Sequence, residues 1–199
     1  MDYTKLSPEA LMALAPFFAK LARIRTAHGV MMPLAVIFWF PLGVFLLRLL
    51  KIKNPVRWHA IWQTIGLALL LSGFGLGRYL SNNSGRNKEG HVVFGTVLVV
   101  VFILMPIIGW LHHRHFVTKG AKDFKSPMHI WGGRILLLLA FINGITGLRL
   151  SKNKSSAYIA YGVVSGFLAV TYAGILYIQN RKLKATTEET ELQVTVEHK

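Results

Sequence analysis

Five apolar blocks organise the chain. Residues 29–47, 60–77, 92–111, 130–148 and 158–178 each carry at most one charged side chain, and polar connections separate them. Blocks of 18–21 residues match the length an α-helix needs to cross a hydrocarbon core of about 30 Å at a rise of about 1.5 Å per residue. The blocks are apolar on every side, where a soluble amphipathic helix keeps a polar face. The pattern predicts an all-α integral membrane bundle of five transmembrane helices.

Two flanking segments read differently. In 1–27, Ser7 and Pro8 form a helix start, as N-cap and first helical residue. Leu11, Leu14, Phe17, Phe18, Leu21 and Ile24 then fall roughly on one helical face, with Lys20, Arg23 and Arg25 mostly elsewhere. This predicts a short amphipathic helix at the membrane surface ahead of the first span. From Arg181 the chain turns polar and then acidic, so 181–199 is expected to be a disordered tail. Residues 28–180 form the transmembrane domain between them. The first strong apolar run has full span length, so no cleavable signal peptide is evident.

Composition sharpens this. The chain is 53% hydrophobic and 16% charged, against about 25% charged in soluble domains. The net charge of +15 sits in the connections, where Lys and Arg ordinarily flank spans, so nucleic acid is not the expected partner. All eight Asp and Glu lie outside the apolar blocks. With no cysteine, disulfides, thiolate ligation, c-type haem attachment and iron–sulfur clusters are excluded.

Histidine carries the candidate chemistry. His28, His59, His91 and His129 stand at the N-terminal mouths of the first four blocks, and the fifth has none. Consecutive helices joined by short loops run antiparallel. His28 and His91 therefore belong to one membrane face (A), and His59 and His129 to the other (B). Any one of them reads equally as an interfacial histidine. Four in register, one pair per leaflet, are what two stacked b-type haems require, since each iron takes two axial ligands. Gly29, Gly95, Gly132 and Gly133 lie within four residues of a histidine, and Gly66, Gly73, Gly75 and Gly77 add room in the second helix. His112, His113 and His115 with Arg114 read as a solvated basic collar at a helix C-terminus. Trp58, Trp62, Trp110 and Trp131 read as an aromatic belt near face B. The "SGFGLG" stretch ends an apolar helix and follows no strand, so it reads as packing rather than a dinucleotide fingerprint.

The stretches "AHGVMM", "FPLGVFLLR", "WHAIWQ", "HVVFGTVLVVVFILMPIIGWLHHRHF" and "MHIWGGRILLLLAFINGITGL" resemble the transmembrane domain of the cytochrome b561 family, in the form associated with a DOMON haem domain. The resemblance covers about residues 20–180. It implies two non-covalent b haems, held by His28 with His91 and by His59 with His129, and electron transfer across the membrane. It also implies a cytosolic, ascorbate-like donor and an extracellular or lumenal acceptor such as ferric iron or a haem domain. Basic residues near the cytosolic haem are a family feature, and Lys51, Lys53, Arg57, Lys119 and Lys122 lie on the corresponding face. Full-length members often have a sixth span, whereas five are seen here. Membrane lipid and a second copy, as a homodimer, complete the expected partners. Lys and Arg divide almost evenly between the faces. Two N-x-S sequons, at Asn82 and Asn153, fall on face A and agree with the family orientation, face A outward and the C-terminus cytosolic. The competing reading of the same histidines is a haem-free, histidine-lined metal or proton transporter.

Overall fold

Ser7 opens the first helix as the sequence predicts. Its hydroxyl accepts from the Ala10 N–H at 3.2 Å, and Pro8 takes the first turn, where a missing N–H costs nothing. The structure, a computed structural model, describes residues 7–49, 53–121 and 124–197. Helix α1 runs Pro8–Pro33, widens into a π-helical stretch Leu34–Trp39, and continues as α2, Phe40–Leu49. Then follow α3 (Pro55–Ser84), α4 (Gly90–Lys119), α5 (Lys125–Leu150) and α6 (Ser155–Glu197). Among the described residues there is no strand, and five helical stretches are long and apolar enough to cross a membrane: Pro8–Phe45, Pro55–Ser84, Gly90–Lys119, Lys125–Leu150 and Ser155–Glu189. Gly85 and Gly120 stop α3 and α4 in the left-handed conformation (φ 68° and 65°) that only glycine adopts cheaply.

The N-terminal segment is helical from Pro8, as its pattern predicts, and runs on directly into the first span. No break separates residues 8–27 from the first span, because nothing between Arg25 and Pro33 interrupts the helix. Lys20 lies over the Tyr79 ring of α3, 5.3 Å from its centre. α6 forms a unit by itself and stays helical past Arg181 to Glu197, so a polar composition does not end it.

Within residues 7–154, α1 packs along α3, α2 along α3, and α4 along α5, with α3 also against α4. The core sits in the middle of the four spans: Ala35, Val36, Phe40, Leu70, Leu98, Val99, Phe102, Leu136 and Ala140. Phe40 and Phe102 stack across it at 4.9 Å and 20°. Where lipid surrounds a bundle, close packing supplies much of what holds helices together. Leu70, 1% exposed, is the largest fully buried side chain among the described residues, so its truncation leaves a void in the core. Leu70→Ala is expected to cost about 2–5 kcal/mol and lower the unfolding temperature in detergent. The volume-conserving Leu70→Met should cost less than about 1.5 kcal/mol.

The π stretch has a local cause. The N–H of Phe40 reaches back five residues to the carbonyl of Ala35. Pro41 follows, and its ring has no N–H to continue an α ladder and crowds the turn before it. Beside it Trp39 and Trp62 stack at 4.3 Å and 13°, each indole N–H donating to the other's carbonyl at 2.9 Å. Glycines admit this stack. A Cβ on Gly66 would stand 2.6 Å from Trp39 Cδ1, and one on Gly43 2.5 Å from Trp62 Cδ1. Trp62 thus ties the first span to α3 and does not join the belt, whereas Trp58, Trp110 and Trp131 are all more than half exposed.

Candidate functional site

The four mouth histidines come together as two pairs. His28 of α1 meets His91 of α4 with ring centroids 6.1 Å apart and planes at 79°. His59 of α3 meets His129 of α5 at 6.4 Å and 84°. Each helix contributes one histidine, as the antiparallel arrangement requires.

Backbone carbonyls on a neighbouring helix orient the rings. His28 Nδ1 donates to the Gly73 carbonyl at 2.8 Å, His91 Nδ1 to Asn143 at 3.0 Å, and His59 Nδ1 to Gly43 at 3.3 Å. A carbonyl only accepts, so Nδ1 must carry the proton. Nε2 is left with its lone pair, in the form that ligates metals. His129 lies near the Met105 carbonyl without a hydrogen bond of good geometry to Nδ1.

Three rings also rest on a glycine. A Cβ on Gly77 would stand 2.7 Å from His28 Cε1, one on Gly147 2.7 Å from His91 Cε1, and one on Gly109 2.8 Å from His129 Cε1. These residues obey a simple rule. Gly77, Gly109 and Gly147 lie eighteen residues after His59, His91 and His129, and the carbonyls at 73, 105 and 143 lie fourteen after the same histidines. Eighteen residues are five turns at 3.6 residues per turn. Each helix therefore presents a histidine and a glycine on one face, about 27 Å apart along its axis. It offers its own ring at one end and receives a neighbour's at the other. In the first span the receiving carbonyl, Gly43, lies fifteen residues after His28. The π stretch between them supplies the extra residue, since a π turn is an α turn with one residue inserted.

The sequence places the histidines and, through Gly73 and Gly77 in the second helix, the seat of one of them, His28. The small residues beside each histidine on its own helix are not seats. Gly29, Gly75 and Gly133 have nothing within 4 Å of where a Cβ would stand, and Gly132 meets only Met105 in ordinary contact. Gly95 faces the Asn143 amide, 2.9 Å from such a Cβ. Gly109 and Gly147 went unnoticed, as did Asn143. The eighteen-residue spacing was the available signal. Among the rest, His112 lies near His129, and Arg114 stands over Trp110 at 5.6 Å. Lys53, Arg57 and Lys119 are exposed, while Lys51 and Lys122 lie outside the described residues. Nowhere among the described residues do three His, Cys, Asp or Glu converge as a metal cluster.

No protein-family model matches the chain, and no solved structure matches it. Two Arabidopsis thaliana proteins do, each named a cytochrome b561 and DOMON domain-containing protein. One is 28% identical over 81% of this chain and 40% of its own length, and the other is 26% identical over 77% and 42%. The chain spans about two fifths of the length of these relatives. By sequence, then, this helical protein with five candidate membrane spans is similar to proteins named for cytochrome b561.

Proposed function

We propose that this multi-pass membrane protein carries electrons across its bilayer through two b-type haems, one between His28 and His91 and one between His59 and His129. The relationship to cytochrome b561 proteins supports transmembrane electron transfer in general. The paired imidazoles carry the specific reading. A metal–imidazole bond of about 2 Å on each side, with each nitrogen roughly 1 Å from its ring centre, separates two opposed centroids by about 6 Å. The observed 6.1 and 6.4 Å meet that requirement twice. Two imidazoles alone make a poor site for a bare zinc ion, which takes about four ligands, whereas a haem brings its own ring nitrogens and would need only such a pair from the protein. The transporter reading lacks a comparable observation.

A haem held by these histidines would supply one-electron chemistry. The rest is the protein's work. His28, His59 and His91 are kept in the ligating tautomer by the carbonyls of Gly73, Gly43 and Asn143. Gly77, Gly109 and Gly147 let three of the rings lie flush with a neighbouring helix. The apolar core between the pairs keeps water out of the middle of the bundle. The proposed direction runs from a cytosolic, ascorbate-like donor on the His59/His129 face to an extracellular or lumenal acceptor on the His28/His91 face. A ferric chelate or a haem domain fits the acceptor role, making the protein a ferric-reductase-like carrier. Face A is outward, and the C-terminus is cytosolic.

Purified in detergent from cells supplied with haem, the protein is expected to hold two haems b per chain by pyridine haemochrome titration. Its reduced-minus-oxidised spectrum should show a sharp bis-histidine α band. A haem-free, folded protein overturns this reading and leaves the histidine-lined transporter in its place.

A further inference from the structure

Asn143 is a polar side chain within an apolar span, level with the mouth of α4, and it is buried (8% exposed). An amide in such a place costs several kcal/mol unless it is bonded, and intramembrane polar groups are candidates for function. Its bonds run to one histidine, His91, and to Thr146. The main-chain oxygen of Asn143 accepts from His91 Nδ1 at 3.0 Å, and its Nδ2 donates back to the His91 carbonyl at 3.3 Å. The hydroxyl of Thr146 holds the arrangement from the other side, donating to Asn143 Oδ1 at 3.0 Å and to the Asn143 carbonyl at 2.7 Å. That hydroxyl also lies 3.4 Å from His91 Nδ1. The amide orientation is forced, because the flipped form would oppose two acceptors at the His91 carbonyl. Gly95 provides the room, since a Cβ there would stand 2.9 Å from Asn143 Nδ2.

This clamp has no counterpart at the other rings. His28 and His59 bond Nδ1 to the carbonyls of two glycines, and His129 makes no well-formed Nδ1 bond. Among the described residues, a bonded side-chain network orients the ring of His91 and none is seen at the other three.

We propose that Asn143, locked by Thr146, is a positioning residue that fixes the orientation and Nδ1 hydrogen bond of His91, and thereby the electronic state of one haem and not the other. The proposal rests on the two-haem reading. A hydrogen bond from Nδ1 makes the imidazole a stronger donor and favours the ferric ion. The angle between two axial ring planes governs the g-anisotropy of a low-spin ferric haem.

The test is electron paramagnetic resonance and redox titration of the oxidised holoprotein, with Asn143→Leu, Thr146→Val and Thr146→Ser beside the parent. Asn143→Leu is expected to move the low-spin signal of the His28/His91 haem and raise its midpoint potential, leaving the other haem unchanged. Thr146→Val should move the same signal less, and Thr146→Ser, which keeps the hydroxyl, should restore it. Thr146 is exposed, so its variants decide the matter if Asn143→Leu fails to fold. Unchanged signals in every folded variant, or equal shifts at both haems, overturn the positioning role. A parent protein without haem overturns the underlying reading instead.

Discussion

Replacing His91 with alanine is expected to yield a folded protein that holds one haem in place of two, its remaining spectrum that of the His59/His129 site alone. His59→Ala should give the complementary result. The independence follows from helix geometry. A histidine and the seat at the far end of its helix stand five turns, about 27 Å, apart, well beyond the roughly 7–10 Å within which substitutions couple strongly. Between the pairs lies the stacked core around Leu70, Phe40 and Phe102, which neither histidine joins. Each variant removes one of two axial ligands, and a lone imidazole is a poor anchor for a non-covalent haem. A ligand that binds only the folded state adds to its stability, so the one-haem variants should also unfold at lower temperature than the parent. Haem-to-protein ratio and thermal unfolding, measured on the same preparations, separate ligand loss from misfolding. Two haems retained by both variants, or both lost from a protein that is still folded, would sink the pairing.

That such an experiment can be designed from the sequence shows where its information lies. Span length and charge depletion are properties of each block alone, so five helices are legible without knowing what they touch. The position of each histidine at a helix mouth, combined with antiparallel order, is enough to pair His28 with His91 and His59 with His129. Contacts between helices are another matter. Trp62 looks like a belt residue because its indole and its place near a span end fit that role. Its position inside depends on Gly43, Gly66 and Trp39, which belong to other turns and another span. The π stretch likewise has no signature of its own. Pro41 explains where the ladder is weak, but only the register between His28 and Gly43 shows what the inserted residue accomplishes. Glycine is the hardest residue to read, since close packing in membrane helices and a seat for a ring call for the same residue. The structure separates them. A Cβ on Gly75 would meet nothing within 4 Å, while on Gly77, two positions on, it would meet an imidazole.

That pair of glycines supplies the second large expected effect. Gly77→Ala should lower retention of the His28/His91 haem by about tenfold or more while leaving the His59/His129 haem and the fold in place. The new methyl carbon would stand 2.7 Å from His28 Cε1 and 2.9 Å from Nδ1, closer than such atoms approach, so the ring must move. It has little freedom to do so, being held by its bond to the Gly73 carbonyl at 2.8 Å. Overpacking of this kind costs about 1–3 kcal/mol, while alanine gains about 1 kcal/mol over glycine inside a helix. Together they leave at most about 2 kcal/mol in global stability, and the local penalty falls on the ligand: each 1.4 kcal/mol or so of it is a factor of ten in affinity. Gly109→Ala, which crowds His129 Cε1 at 2.8 Å, should reverse the pattern and weaken only the other site. Gly75→Ala is the matched control, with the same helix, the same gain in propensity and no contact to disturb. Haem content measured after purification decides it. If Gly77→Ala retains both haems with an unaltered low-spin spectrum, the glycine is there for helix packing alone, and the eighteen-residue spacing loses its meaning as a ring seat.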